Sequence, residues 1–156
     1  MSEIGKLTSS ILDKYLNALY PYTIFIDPAH TPKASTGFDT LTISGAYPNQ
    51  HCRGEAGSLN DLITWDVVLS KGTWSIELIH RKGIYQGILS IQFDSVEKGT
   101  IDCYEASDTF TNLTSITGIT IPLTKKIELK LKVTGTNPSS GAYYMHISSI
   151  RLVRTA

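Results

Sequence analysis

The chain has 156 residues, with fourteen Lys and Arg balanced by fourteen Asp and Glu. A chain of this length makes one domain that buries roughly 70% of the surface its unfolded form exposes, so it needs no covalent staples. Zero net charge leaves no global field to recruit nucleic acid or anionic lipid, and no stretch approaches the roughly 20 apolar residues of a membrane span.

Residues 1–20 differ in kind from the rest of the chain. Ser10-Ile11-Leu12-Asp13 reads as a capping box, and Ile11, Leu12, Tyr15, Leu16 and Leu19 then share one helical face until Pro21 stops the run. Ile4 and Leu7 extend the stripe upstream, where Gly5 weakens it. The expectation is an N-terminal helix laid over an edge or end of the domain at 21–156, or one that assists self-association. The basic start and continuous apolar run of a secretory signal are missing from this stretch.

Residues 22–26 predict a strand, and Asp27-Pro28 opens a loop of small and polar residues lasting to Gly37. Phe38, Leu41 and Ile43 mark a second strand. Residues 44–60, with three glycines and almost no periodicity, read as a long irregular connection; ordered loops of this length are usually functional.

The central stretch 64–106 sets the fold class. Ile63, Trp65, Val67 and Leu69 alternate with polar residues, as do Trp74, Ile76 and Leu78, then Leu89, Ile91 and Phe93, then Ile101 and Cys103. Period-two alternation bounded by glycine-containing turns is the pattern of antiparallel strands with one face buried and one wet. Trp65 and Trp74 lie in the apolar phase, which assigns them to core packing ahead of ligand stacking. Cys103 reads as a small core hydrophobe, with pairing to Cys52 as the alternative.

Residues 105–118 read as a second long polar connection held by Leu113 and Ile116. Ile119, Ile121 and Leu123 then form a strand whose Pro122 predicts an edge. Ile127, Leu129, Leu131 and Val133 alternate with Glu128, Lys130 and Lys132, a strand with a solvated charged face. In the last strand Tyr143, Met145 and Ile147 alternate while Ile150 and Leu152 fall out of phase. The slip at Ser148-Ser149 predicts a bulge.

If each strand runs opposite to its predecessor, the short turns 70–72, 95–98 and 124–125 share one end of a sandwich. The long connections 45–61, 81–87, 105–118 and 135–142 share the other. Long loops carry an ordering entropy that must be supported or used, so that end is the expected binding surface. It presents Tyr47, Asn49, His51 and Arg53, then Tyr85 and Gln86, then Glu105 and Asp108, then Asn137 and Tyr143. Aromatic faces flanked by amides and carboxylates suit a sugar, whose C–H face stacks while its hydroxyls form directional hydrogen bonds. Protein partners use the same residue types.

The pieces Trp65-Asp66-Val67-Val68-Leu69 with Lys71-Gly72-Thr73-Trp74, residues 87–94, Gly99-Thr100-Ile101-Asp102-Cys103-Tyr104, the Asn137 loop and residues 146–152 together resemble the galactose-binding-like jelly roll. In particular they are similar to carbohydrate-binding modules of families 6 and 35, and such domains also look like modules of phage tail fibres and capsid decoration proteins. The resemblance covers about three fifths of the chain by pattern. It implies an all-β antiparallel jelly roll, a ligand-contacting Asn before the final strand, fitted by Asn137, and aromatics nearby, fitted by Tyr143. The family's structural calcium draws on a Glu pair in the first strand and an Asp in the last. Here the first strand holds no Glu, and Ser148-Ser149 stands in the last.

Catalytic and metal signatures are weak. His30, His51, His80 and His146 show no metal-ligand spacing, and neither a G-x-S-x-G elbow nor a phosphate loop occurs. Glu105 and Asp108, three apart in a polar loop, read as solvated ahead of a glycosidase pair. Asn112-Leu113-Thr114 is a formal glycosylation sequon. The expectation is therefore a non-catalytic module for carbohydrate or a glycoconjugate, working outside the cell and without a cofactor. The alternative is a virion structural protein at a particle surface, a capsid decoration or tail fibre protein that forms a homotrimer and contacts capsid or tail partners.

Overall fold

The computed structural model describes residues 23–29, 32–42, 50–54 and 57–156, with the backbone alone at 39–42 and 50–54. The expected N-terminal helix, Tyr47 and Asn49 lie outside these residues. The described strands are β1 (Thr23–Ile26), β2 (Ala34–Thr36), β3 (Phe38–Thr42), β4 (Gln50–Gly54), β5 (Leu62–Leu69), β6 (Gly72–Lys82), β7 (Gly87–Phe93), β8 (Val96–Asp102), β9 (Thr109–Ile121), β10 (Lys125–Thr136) and β11 (His146–Arg154). They form two antiparallel sheets. One runs β3-β4-β11-β6-β9, with β1 also on β11, and the other runs β2-β5-β10-β7-β8.

Alternation decides which residues meet between the sheets. Ile63, Trp65, Val67 and Leu69 of β5 and Ile127, Leu129, Leu131 and Val133 of β10 face Trp74, Ile76 and Leu78 of β6 and Ile147, Ile150 and Leu152 of β11. All are buried, and burying one such aliphatic side chain stabilises the fold by about 1.5–3 kcal/mol. Both tryptophans belong to this core, and Trp74 Nε1 donates to the Ser70 carbonyl at 2.9 Å. Cys103 is also buried there, unpaired, so the disulfide alternative falls. The slip in the last strand is a bulge in β11: its register on β6 shifts between Ile147 and Ser149, which returns Ile150 and Leu152 to the core side.

The charged face of β10 is solvated and paired. Lys33 bridges Asp66 and Glu128, Lys126 meets Asp66, and Lys130 meets Glu128. Hydrogen bonds from Lys126 and from Lys33 hold Asp66 and Glu128, respectively, below the usual carboxylate range. Exposed pairs of this kind add little stability.

Three expected loops contain strands. Residues 27–37 include β2, and 44–60 include β4, which pairs with β3 and with the start of β11. His51 and Arg53 therefore lie on a strand, where a loop was expected. The connection expected at 105–118 is largely β9, the edge of its sheet, as Pro122 predicts. Phe110, Asn112, Thr114 and Ile116 take its inward phase, while Leu113, expected to hold the loop, is 61% exposed. The turn expected at 95–98 tightens to Asp94-Ser95, both at positive φ, the geometry of a two-residue type I′ hairpin.

Candidate functional site

The remaining connections separate by end. At one end Lys71 N–H donates to Thr124 Oγ1, Asp94 pairs with Lys125, and Thr73 N–H reaches the Ala156 carbonyl. The turns at 70–71, 94–95 and 122–124 therefore lie with the C-terminus. The opposite end gathers residues 57–61, 83–86, 103–108 and 137–145.

Backbone hydrogen bonds knit these segments. Gly83 N–H donates to the Cys103 carbonyl at 3.1 Å, and Glu105 N–H returns to the Gly83 carbonyl at 3.3 Å. The 137–145 segment crosses over 83–86, with Gly141 N–H on the Ile84 carbonyl at 2.9 Å and Tyr144 N–H on the Tyr85 carbonyl at 3.0 Å. Ser140 Oγ donates to the Gln86 carbonyl at 2.8 Å. Few of these carbonyls and amides belong to a sheet ladder, so the segments hold one another in place.

Tyr85 is the exposed aromatic of this pole, half of its surface free. Its ring rests on the backbone of Gly141, where an added Cβ would stand 3.0 Å from ring atom Cδ1. Asn137 is held at both ends of its amide: Nδ2 donates to Asp102 Oδ2 at 2.7 Å and Oδ1 accepts from Ser139 N–H at 2.9 Å. Asp108 pairs with Arg81, whose guanidinium lies 5.1 Å from the centre of the Phe110 ring. Any side chain at Gly83 would run into the Asp108 carboxylate.

The structure thus brings Tyr85, Gln86, Asp108, Asn137 and Tyr143 to one pole but gives them different characters. Gln86 is buried, 1% exposed, with Oε1 3.1 Å from His146 Nδ1. It positions the loop crossing and does not reach the surface, which corrects its place among expected ligand contacts. Tyr143 is half-buried against the core. Tyr85, Asp108 and Asn137 remain accessible. Glu105 accepts from Thr109 Oγ1 at 2.8 Å while Asp108 faces Arg81, so the two carboxylates are held by different partners. Arg81 and Asp102, which steer Asp108 and Asn137, carry no local signal in the sequence because their partners lie 27 and 35 residues away.

Behind this surface His80 is buried, Nδ1 3.2 Å from the Arg81 carbonyl and Nε2 2.9 Å from Thr114 Oγ1. The carbonyl must accept, which makes Nδ1 the protonated nitrogen and Nε2 the acceptor of the threonine hydroxyl. Desolvation lowers the pKa of the imidazole, and the Lys82 charge adds to it. Cys103 Sγ lies 3.5 Å from the same Nδ1, and burial, assisted by the Asp102 charge, pushes its thiol up to about 12. A thiol in that state is no nucleophile.

Among the described residues no group of three or more His, Cys, Asp or Glu side chains is placed to hold a metal. At the calcium positions implied by the resemblance, β1 offers Thr23, Ile24, Phe25 and Ile26, and β11 offers Ser148, Ser149 and the Arg151 guanidinium. Calcium takes oxygen ligands from carboxylates, carbonyls and water, and the side chains at these positions supply hydroxyl oxygens and no carboxylate.

No protein-family model matches this sequence, and no curated protein does either. Solved structures do. Part of the xanthan lyase of Paenibacillus is similar over 81% of this chain at 18% identity with a TM-score of 0.68, and this chain spans 12% of the lyase's length. A family 36 carbohydrate-binding module of a xylanase from the hindgut metagenome of Trinervitermes trinervoides is 16% identical, covering 86% of this chain and 98% of the module, at a TM-score of 0.64. Another family 36 module, solved with calcium and xylotriose, is 15% identical over 83% of this chain and 98% of its own length, at 0.57. Modules of families 6 and 35 share the architecture. Identities this low carry the fold, and the fold is the galactose-binding-like jelly roll.

Proposed function

We propose that this chain is a non-catalytic carbohydrate-binding module whose ligand stacks on Tyr85 and bonds to Asn137 and Asp108. The observation that carries the reading is the Tyr85 ring, half-exposed and seated on Gly141 where the loops of one pole converge. Its jelly-roll likenesses support it, since a family 36 module was solved with xylotriose and a family 6 module with xylose. Tyr143 backs the site from below and Gln86 fixes the crossing of its two segments. The module works where glycans are displayed, outside a cell.

A stacked ring burying about 50 Å² of apolar surface gives about 1 kcal/mol at roughly 25 cal/mol per Å². With a few hydrogen bonds the expected Kd is near 1 mM, about −4 kcal/mol, and useful affinity calls for several copies on one assembly. Titration calorimetry with xylo-oligosaccharides, preceded by a glycan array, tests this. Binding lost in Tyr85→Ala, with the fold intact, supports the assignment. Absence of binding to any glycan at millimolar concentration, or binding indifferent to Tyr85→Ala, overturns it.

A further inference from the structure

The orientation of the Asn137 amide is fixed by its two partners. An ionised carboxylate only accepts, so the group facing Asp102 Oδ2 at 2.7 Å is Nδ2, and Oδ1 is left to accept Ser139 N–H at 2.9 Å. Each contact uses half of what its atom offers. One Nδ2 hydrogen and one Oδ1 lone pair remain, a donor and an acceptor on a single side chain. A sugar hydroxyl both donates and accepts, and so can use the pair; a carboxylate brings acceptors alone.

The Asp102 carboxylate is itself held in place. Its Oδ1 accepts Tyr104 N–H at 2.9 Å while Oδ2 holds Asn137, so the charge is fixed beside the amide. No salt bridge among the described residues includes it. Asp108, by contrast, is matched by Arg81. That guanidinium is already committed to Asp108 and to the face of Phe110, which leaves little of it for a second anion.

A ligand oxygen bonded to the free Nδ2 hydrogen at about 2.9 Å stands no more than about 6 Å from Asp102 Oδ2. Two like charges at that separation repel even through water, enough to weaken binding about threefold. A hydroxyl at the same place meets no such penalty. Resting on the reading of Tyr85, Asn137 and Asp108 as glycan contacts, we propose that the site selects neutral glycans over uronates and that Asp102 is the residue that sets this choice.

The test is a set of titrations of the full chain, followed by nuclear magnetic resonance at Tyr85 and Asn137 and run at about 10 mM ionic strength, where screening is weak. The probes are xylotriose, methyl glucuronoside and the methyl ester of that glucuronoside, which is close to it in shape and carries no charge. The ester is expected to bind at least about threefold more tightly than the acid. Asp102→Asn keeps an acceptor for Asn137 Nδ2 and removes the charge, so there the gap closes while xylotriose binding is kept. Acid bound as tightly as ester by the parent chain overturns the proposal, as it would if the nearby Lys82 offset Asp102. A gap of the same size in Asp102→Asn overturns it too, because the repulsion then comes from another group. In either case continued binding of xylotriose at Tyr85 and Asn137 leaves the glycan site standing. If neither xylotriose nor the ester disturbs these two residues, the site reading fails and this inference falls with it.

Discussion

Asn137 donates its side-chain amide to the Asp102 carboxylate at 2.7 Å, tying the last long loop to the end of β8. The same amide oxygen receives Ser139 N–H, so the turn and the tie are made by one side chain. Its affinity role and its positioning role can be separated. Asn137→Ala removes both, and the loss of an exposed hydrogen bond to a charged group predicts about 1 kcal/mol of stability lost. Asp102→Ala leaves the amide present but untethered. If Asn137 touches the ligand, its own substitution weakens glycan binding more than Asp102→Ala does. Equal losses in calorimetric titrations would mean that the tether alone matters.

Tyr85 depends on Gly141 for its seat. A methyl group at 141 would stand 3.0 Å from Tyr85 Cδ1, closer than van der Waals contact allows, and the half-exposed ring is free to swing away. Gly141→Ala is therefore expected to weaken glycan binding several-fold while stability changes by about 0.5 kcal/mol or less, as for a surface substitution. Thermal melts and titration of the same sample check this. A fall in melting temperature that accounts for the lost binding would assign Gly141 to folding.

How far the sequence reveals this molecule depends on where each residue's partner lies. β5, β10 and the β11 bulge are legible because their apolar residues repeat every second position and meet one common core. β9 is not. Its inward phase is Phe110, Asn112, Thr114 and Ile116 while Leu113 points outward, so an edge strand with a thin core behind it mimics a polar loop. β4 hides for a similar reason, since Gln50, His51, Arg53 and Gly54 surround a single apolar residue, Cys52. Within the site, Tyr85 and Asn137 stand out as an aromatic and an amide between strands. Gln86 misleads because nothing in the chain distinguishes an amide buried on His146 from one offered to a ligand.

The β7–β8 hairpin holds a removable strain. Ser95 has φ 64° and Asp94 φ 50°, both in the left-handed region. Asp94 is compensated: Oδ1 accepts Glu128 N–H at 2.9 Å and Oδ2 meets Lys125 Nζ at 2.6 Å. Ser95 has a single exposed contact, accepting from Lys130 Nζ at 3.0 Å. This conformation costs a non-glycine residue roughly 1–2 kcal/mol, a gain that the greater unfolded-state entropy of glycine partly offsets. Ser95→Gly is expected to stabilise the chain by about 1 kcal/mol in urea denaturation. A destabilised variant would show that the turn is not strained at 95.

Acid should unfold the protein in two stages, the first belonging to His80. Burial disfavours its protonated form, so the folded chain binds that proton less readily than the unfolded chain, whose histidine keeps its ordinary value of 6.5. As pH falls below 6.5 the unfolded chain takes up the proton first, and stability drains with a slope of up to about 1.4 kcal/mol per pH unit until the lowered folded value is passed. Above 6.5 the contribution is complete. Asp66, Asp94 and Glu128 are lowered from 3.8, 3.8 and 4.5, each chiefly by a lysine hydrogen bond, so what they contribute is present above those values and is lost at more acidic pH. The window between about pH 5 and 6.5 therefore isolates the histidine stage. His80→Phe leaves Thr114 Oγ1 and the Arg81 carbonyl without their ring partner, which predicts about 1–3 kcal/mol of destabilisation at pH 7.5. Across the window its stability should fall less steeply than that of the parent. Urea titrations at half-unit pH steps measure both slopes, and parallel slopes would move the first acid stage to another group.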